Sequence, residues 1–393
     1  MGATETGWSF ARRTHSFSSE LTTILAGSPP GVLSLAGGFP NPATFPTEVL
    51  DDTVERLVRD DAGVALQYAP CEGVPSFRSY LADRQEQTQG RRPELAELMV
   101  TSGGMECIAL ACQALIDPGD PIAVEAPTYL GALMAFARYE ADVHGIAMDA
   151  DGIVVEALAE RLEAGLRPKL LYVIPDYQNP SGRTLTLQRR HALVELCRRH
   201  GVLVLEDVAY RELSFDGTAL PSLWSLAPDV VLQAGTFSKL FAPGVRLGWA
   251  AGPAAVVAEL AAAKQTTDQC SGALGQRLVE EYGRAGNFER RLPAARELYA
   301  THWRAVRRAF EQHMPDGCTW SEPAGGFFAW LRLPDGLDAV ELRAAAAEGG
   351  VAYVPGAPFY SGDGGRDELR LAFSYLSEDD LGEAVRRLAE VIS

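Results

Sequence analysis

The chain has 393 residues, 47% of them hydrophobic, which is enough for a large domain and a smaller one, each with its own core. Its formal net charge of −17 and pI near 4.9 exclude a surface built for nucleic acid or anionic membrane, since both need clustered positive charge. The opening MGATETGWSFARRTHSF lacks a signal peptide's apolar core, and no run of about 18 apolar residues follows, so the cytoplasm is the expected compartment.

In chain order, the clusters SPPG and AGGFPNPATFP make residues 1–50 an arm and loop packing on the small domain rather than a domain. Residues 51–275 are expected to form a large domain. Within it LMVTS, PIAVEAP, ADVHGIAM, KLLYVIP, GVLVLED, DVVLQAG and LGWAAG read as buried strands, with helices such as 105–116 and 187–200 between several of them. That alternation predicts an α/β architecture with a mostly parallel sheet. After residue 253 long Ala/Arg/Glu-rich helices lead to the strands FFAWLRL, VAYVP and LRLAF and to the amphipathic EDDLGEAVRRLAEVI. Residues 276–393 are therefore expected to be a smaller α+β domain. The six cysteines contain no C-x-x-C pair and the histidines no H-E-x-x-H cluster, so buried free thiols are expected and no metal site.

In an open parallel sheet ligands bind beyond the carboxyl ends of the strands, so the residues that matter are those where the apolar runs stop. TSGGMECIALACQAL sets Gly103 and Gly104 between a strand and a helix, where free amides and the helix dipole can hold a phosphate; a plain tight turn is the other reading. EAPTYLGAL places Tyr129 where a flat ligand can stack, or where an ordinary core tyrosine would sit. VIPDYQNPSG offers the Asn179 amide or simply an Asn-Pro turn. VLVLEDVAY runs a buried strand into Glu206 and Asp207, and a carboxylate there needs a cationic partner or exposure; Tyr210 lies three residues on.

Lysine is scarce. The chain has three, Lys169, Lys239 and Lys264, against 32 arginines. A solvated cation is nearly always Arg here, whereas an amine that must lose its proton and attack a carbonyl cannot be Arg. Lys239 in TFSKLFAPGVRLGW is the candidate.

In this order the motifs SLAGGFPNPATFP, QYAPCEG, PDYQNPSGRTL, TFSKLFAPGVRLGW, PAGGFFAWLRLP and VPGAPFY resemble the fold-type I pyridoxal phosphate enzymes, specifically the class I and II aminotransferases of the 2-aminoadipate and kynurenine branch. The resemblance runs from about residue 30 to the C-terminus. It implies that Lys239 forms the Schiff base with pyridoxal phosphate and moves the proton, that Asp207 pairs with the pyridinium nitrogen, that Asn179 and Tyr210 bond the phenolic oxygen, and that Tyr129 stacks on the ring. It assigns the phosphate to the amides of Gly103, Gly104 and Met105, to the hydroxyls of Thr236 and Ser238, and to Arg246. Tyr68 would reach the phosphate of a neighbouring subunit, which implies a homodimer. Arg370 would grip the substrate carboxylate, with Gly38 and Asn179 lining the same pocket.

Two departures stand out. Close relatives carry Ser-Gln in the phosphate turn where this chain has Gly104 and Met105, and Thr22 falls where the aminoadipate enzymes carry an arginine for acidic substrates. The leading expectation is transfer of an amino group between an amino acid and a 2-oxo acid. A lyase, decarboxylase or substitution enzyme on the same scaffold is the alternative. The effector domain of a DNA-binding regulator is disfavoured by the acidic pI and by the start of the fold almost at residue 20.

Overall fold

The computed structural model describes residues 8–11, 13–14 and 29–393; Thr22 and much of the expected N-terminal arm lie outside them. After β1 (Leu33–Ser34), eight strands form the large sheet: β2 (Leu98–Thr101), β3 (Pro121–Ala126), β4 (Asp142–Asp149), β5 (Gly152–Ile153), β6 (Leu170–Val173), β7 (Leu203–Asp207), β8 (Val231–Thr236) and β9 (Gly248–Ala251). Their spatial order is β2-β9-β8-β7-β6-β3-β4-β5. Strands β8, β7, β6, β3 and β4 run parallel, while β9 and β5 run against their neighbours. Because β2 and β8 both oppose β9, their carboxyl ends reach the same edge of the sheet.

The sheet is buried on both faces, and the two-residue period of a strand sorts its side chains between two cores. Met99, Ile122, Val124, Leu170, Tyr172 and Leu205 join one. Leu98, Val100, Ala123, Leu171, Val173 and Val204 join the other. Strand β4 departs from expectation: next to the edge strand, it buries only Ile146 fully and exposes Asp142, Ala147 and Asp149.

A second, antiparallel sheet has the order β10-β11-β14-β13, built from β10 (Thr319–Trp320), β11 (Phe328–Arg332), β13 (Val354–Pro355) and β14 (Glu368–Ala372). VAYVP, expected as one strand, is split at Tyr353 into β12 (Val351–Ala352) and β13, with β12 pairing in parallel to β1. The 27-residue helix Asn287–His313 packs against the C-terminal helix Glu378–Ile392. All six cysteines are free; Cys107, Cys112 and Cys197 are buried, but Cys71, Cys270 and Cys318 are only half-buried. Among the described residues no helix is long and apolar enough to cross a membrane.

The segment after β1 is stitched to the second sheet. Leu35 N donates to Ala352 O at 2.7 Å, Ala372 N donates to Leu35 O at 2.7 Å, and Ser374 Oγ donates to Phe39 O at 2.6 Å. These bonds lay the carbonyls of Ala36 and Gly38 across the space between the two sheets.

Candidate active site

A cavity of about 380 Å³ opens beyond the carboxyl ends of β2, β3, β6, β7 and β8, where strand order turns back on itself between β3 and β6. The site residues proposed from the sequence converge there, apart from Gly103, which flanks it, and Tyr68, which does not reach it.

Lys239 follows β8 by three residues. Its Nζ donates to Gly38 O at 3.0 Å and lies 5.5 and 5.9 Å from the ring centres of Phe327 and Tyr210. Among the described residues no carboxylate is within ion-pair reach of it. Burial pushes its amine down to about 8, with Arg370 and then Arg246 adding to the effect and Asp207 opposing it. The other lysines are engaged: Lys169 pairs with Asp120 at 2.6 Å on the surface, and Lys264 is buried between two carboxylates.

Glu206 and Asp207 are separated by the pleat. Glu206 points to the far face, where its oxygens accept the Leu223 and Trp224 amides at 2.7 and 3.0 Å and a Gln233 donor at 2.9 Å, holding the short helix Leu223–Leu226. Asp207 turns to the cavity side. Its Oδ2 accepts the Tyr172 hydroxyl at 2.8 Å and its Oδ1 the Ala209 amide at 3.1 Å. Burial raises its carboxyl above the ordinary range while both donors and Lys239 pull it back. Tyr210 is buried edge-on to Phe327 and Phe328, and burial raises its hydroxyl far above the usual value.

Arg370 sits on β14, opposite Trp330 on β11 and Val354 on β13. One Nη donates to Asn179 Oδ1 at 2.9 Å, the other to Ala36 O at 2.5 Å, and the guanidinium stacks 4.4 Å from Phe328 and 5.0 Å from Phe359. Its Nε is buried without a partner, and among the described residues no carboxylate pairs with it. Burial lowers it to about 10. A buried, unneutralised guanidinium with a spare donor has the geometry and charge to receive a carboxylate. Gly38 fits because any Cβ there would lie 2.3 Å from Phe328.

The turn after β2 has the geometry of an anion cradle. Gly103 caps the helix Gly104–Leu115 at φ 101°, and the first amides of a helix, here Gly104 and Met105, have no partner within it. A Cβ on Gly103 would lie 2.9 Å from Arg246, so only glycine lets the guanidinium close over the turn. Thr236 Oγ1 donates to Ser238 Oγ at 3.0 Å beside it. Tyr129, partly buried, lines the wall of the cavity. An anion cradle, a buried carboxylate and a neutralisable lysine around one cavity match the donors and acceptors of a pyridoxal phosphate molecule.

The sequence reading missed two supports. Tyr172, the one polar side chain in the buried run of β6, is the hydroxyl that orients Asp207. Glu125 on β3 accepts Ile174 N at 3.0 Å and Gln178 Nε2 at 3.1 Å, which fixes the turn presenting Asn179. In each strand a lone polar residue inside an apolar run was the available signal. Tyr68 is 80% exposed, on a loop flanked by exposed Leu66 and Val64.

Residues 34–388 match the aminotransferase class I and II family. The chain is 37% identical to aromatic-amino-acid aminotransferase 1 of Thermococcus litoralis, over 92% of this chain and 88% of that one. It is also 37% identical to the 2-aminoadipate transaminase of Thermus thermophilus, over 92% and 90%. The fold superposes with TM-score 0.91 on the Thermus thermophilus α-aminoadipate aminotransferase complexed with N-(5'-phosphopyridoxyl)-L-leucine, at 35% identity and covering 98% and 97% of the two chains. The multiple substrate aminotransferase of Thermococcus profundus gives TM-score 0.93 at 35% identity, with the same coverage.

Proposed function

The chain belongs to the aminotransferase class I and II family and is a pyridoxal phosphate-dependent aminotransferase, and from that premise we propose the part each residue of the cavity plays. When bound, pyridoxal phosphate supplies the carbonyl carbon that carries the amino group and a protonated ring that draws electrons from the substrate α-carbon. Lys239, with its depressed amine, holds the cofactor covalently at rest and moves a proton at the substrate α-carbon. Asp207 keeps the ring nitrogen protonated. Tyr210 and Asn179, whose Nδ2 is left to donate once Oδ1 serves Arg370, bond the phenolic oxygen. The amides of Gly103, Gly104 and Met105, the hydroxyls of Thr236 and Ser238, and Arg246 take the phosphate. Tyr129 lies against the ring. Arg370 binds the α-carboxylate of amino acid and 2-oxo acid alike, within the pocket of Gly38 and Asn179.

The observation that carries this reading is a lysine that faces the cavity and, among the described residues, has only a carbonyl as hydrogen-bond partner, together with Asp207 and Arg370. Phe39, Pro40, Leu130 and Phe328 form much of the remaining wall, which favours donors with apolar or aromatic side chains. The holoenzyme, given single amino acids without an acceptor, should convert stoichiometrically to its pyridoxamine form and release the 2-oxo acid. Catalytic release of ammonia or carbon dioxide would support a lyase or decarboxylase instead.

We also propose a cytoplasmic homodimer, divided into the N-terminal segment 1–50, a large domain 51–275 and a small domain 276–393. Val54, Val58, Val64, Leu66 and Tyr68 are all exposed, apolar surface that a second copy would cover in bringing Tyr68 to the partner's phosphate. If so, a heterodimer of Tyr68→Phe and Lys239→Ala chains has one intact site. Activity at the level of the single mutants, or a monomer by light scattering, would count against the shared site.

A further inference from the structure

The scarcity of lysine leaves Lys264 to be explained. It is fully buried in the helix Ala254–Thr267, and its Nζ contacts both oxygens of Glu106 at 2.9 and 2.7 Å and both oxygens of Asp268 at 2.7 and 2.8 Å. A compact ammonium with three donors fits between two converging carboxylates.

Both carboxylates reach on to Ser102, the residue before Gly103. Its amide donates to Glu106 Oε2 at 2.6 Å and its hydroxyl to Asp268 Oδ2 at 2.7 Å, while its carbonyl accepts from Arg246 at 3.4 Å. Ser271 Oγ lies 3.2 Å from the Ser102 hydroxyl, and Gln276 joins Ser271 O at 2.9 Å to Val74 N at 2.7 Å. The residue that leads into the cradle is thus held at its amide, carbonyl and hydroxyl.

We propose that Lys264, Glu106 and Asp268 are positioning residues for phosphate binding: they hold Ser102 so that the Gly103–Met105 amides and Arg246 face the phosphate, and Lys264 offsets carboxylate charge that would otherwise repel it. This rests on the reading that the turn takes the phosphate. The requirement is acute in this chain because Gly104 and Met105 bring no side-chain hydroxyl or amide, which leaves backbone amides whose direction is set by the turn. Glu106, the third residue of its helix, acts as the reaching-back acid of a capping box, displaced by one residue to the amide of Ser102.

The test compares affinities of the dimeric apoenzyme for pyridoxal phosphate and for pyridoxal, which lacks the phosphate. Lys264→Met should weaken pyridoxal phosphate by about tenfold or more and leave pyridoxal little changed. Glu106→Gln, which keeps the side-chain shape, should change the ratio in the same direction but less. Adding Asp268→Asn to Lys264→Met should recover part of the loss, because one unbalanced charge is removed. If Lys264→Met fails to fold, Glu106→Gln and Asp268→Asn decide by the same ratio. Arg246→Met is the control. A ratio that moves in Arg246→Met but not in the network variants overturns this proposal alone. A ratio unmoved in Arg246→Met overturns the phosphate reading beneath it.

Discussion

Tyr172 reaches from β6 to donate its hydroxyl hydrogen to Asp207 Oδ2 at 2.8 Å on the next strand. With the Ala209 amide on the other oxygen, the carboxylate is oriented and its charge supported, although among the described residues no cation pairs with it. Asp207→Asn should keep the fold and lower turnover by several orders of magnitude, since the ring nitrogen loses its anion. Tyr172→Phe removes one hydrogen bond to a charged group and should lower turnover by about tenfold. Steady-state rates check both, and near-normal turnover in Asp207→Asn contradicts the role.

The Lys239 amine is pushed down to about 8 by burial first and by Arg370 next. A free lysine titrates near about 10.4, and only the neutral amine attacks a carbonyl. Capture of pyridoxal phosphate by the apoenzyme should therefore accelerate from about pH 7 and level off above about pH 9, where an ordinary lysine would still be gaining. Arg370→Leu removes a charge that lowers the amine, so the profile should move to higher pH. Stopped-flow rates across that range give the answer; an unmoved profile in Arg370→Leu denies the coupling.

At Gly104 the nearest atom to an added Cβ is Thr236 Cβ at 3.7 Å, so the fold has room for a serine side chain there. Gly104→Ser should tighten pyridoxal phosphate by a few-fold, the gain of one more hydrogen bond to an anion. Gly103→Ala should do the reverse, because its φ of 101° disfavours a side chain and the Cβ would lie 2.9 Å from Arg246. Equilibrium cofactor titrations of the two apoenzymes should shift in opposite directions.

Arg370 keeps a buried Nε without a partner between Asn179 and two phenyl rings. Arg370→Lys retains the charge but loses the planar fork, so KM for amino acid and 2-oxo acid should rise together by about tenfold to a hundredfold, with kcat less affected. A rise for one substrate alone would mean that the two carboxylates bind elsewhere.

The large sheet was legible because most of its buried strands are short apolar runs, several of them closed by a polar residue, as in VLVLED and LMVTS. Those closures singled out Gly103, Gly104, Tyr129, Asn179, Asp207 and Tyr210; Thr236, Ser238, Arg246, Gly38 and Arg370 came only with the family resemblance. What the sequence left open depended on three-dimensional pairing. The pleat, which sends Glu206 to a helix and Asp207 to the cavity, is a period-two matter that needs the sheet's faces to be known. Ala36 O meets Arg370 only through the β1 and β12 pairing, more than 300 residues apart in sequence. Strand β4 was expected to be buried from its composition, but its place beside the edge strand exposes it. Lys264 was visible as a rare residue, and Asp268 stands four residues after it, but Glu106 lies in another segment and meets it only in the fold.

The central claim is that Lys239 carries the cofactor. Borohydride reduction of the yellow holoenzyme followed by peptide mapping tests it directly, because the chain has only three lysines. Pyridoxyl label should fall on Lys239 alone, at one per chain; label on Lys169 or Lys264, or on no lysine, would show that another group holds the cofactor.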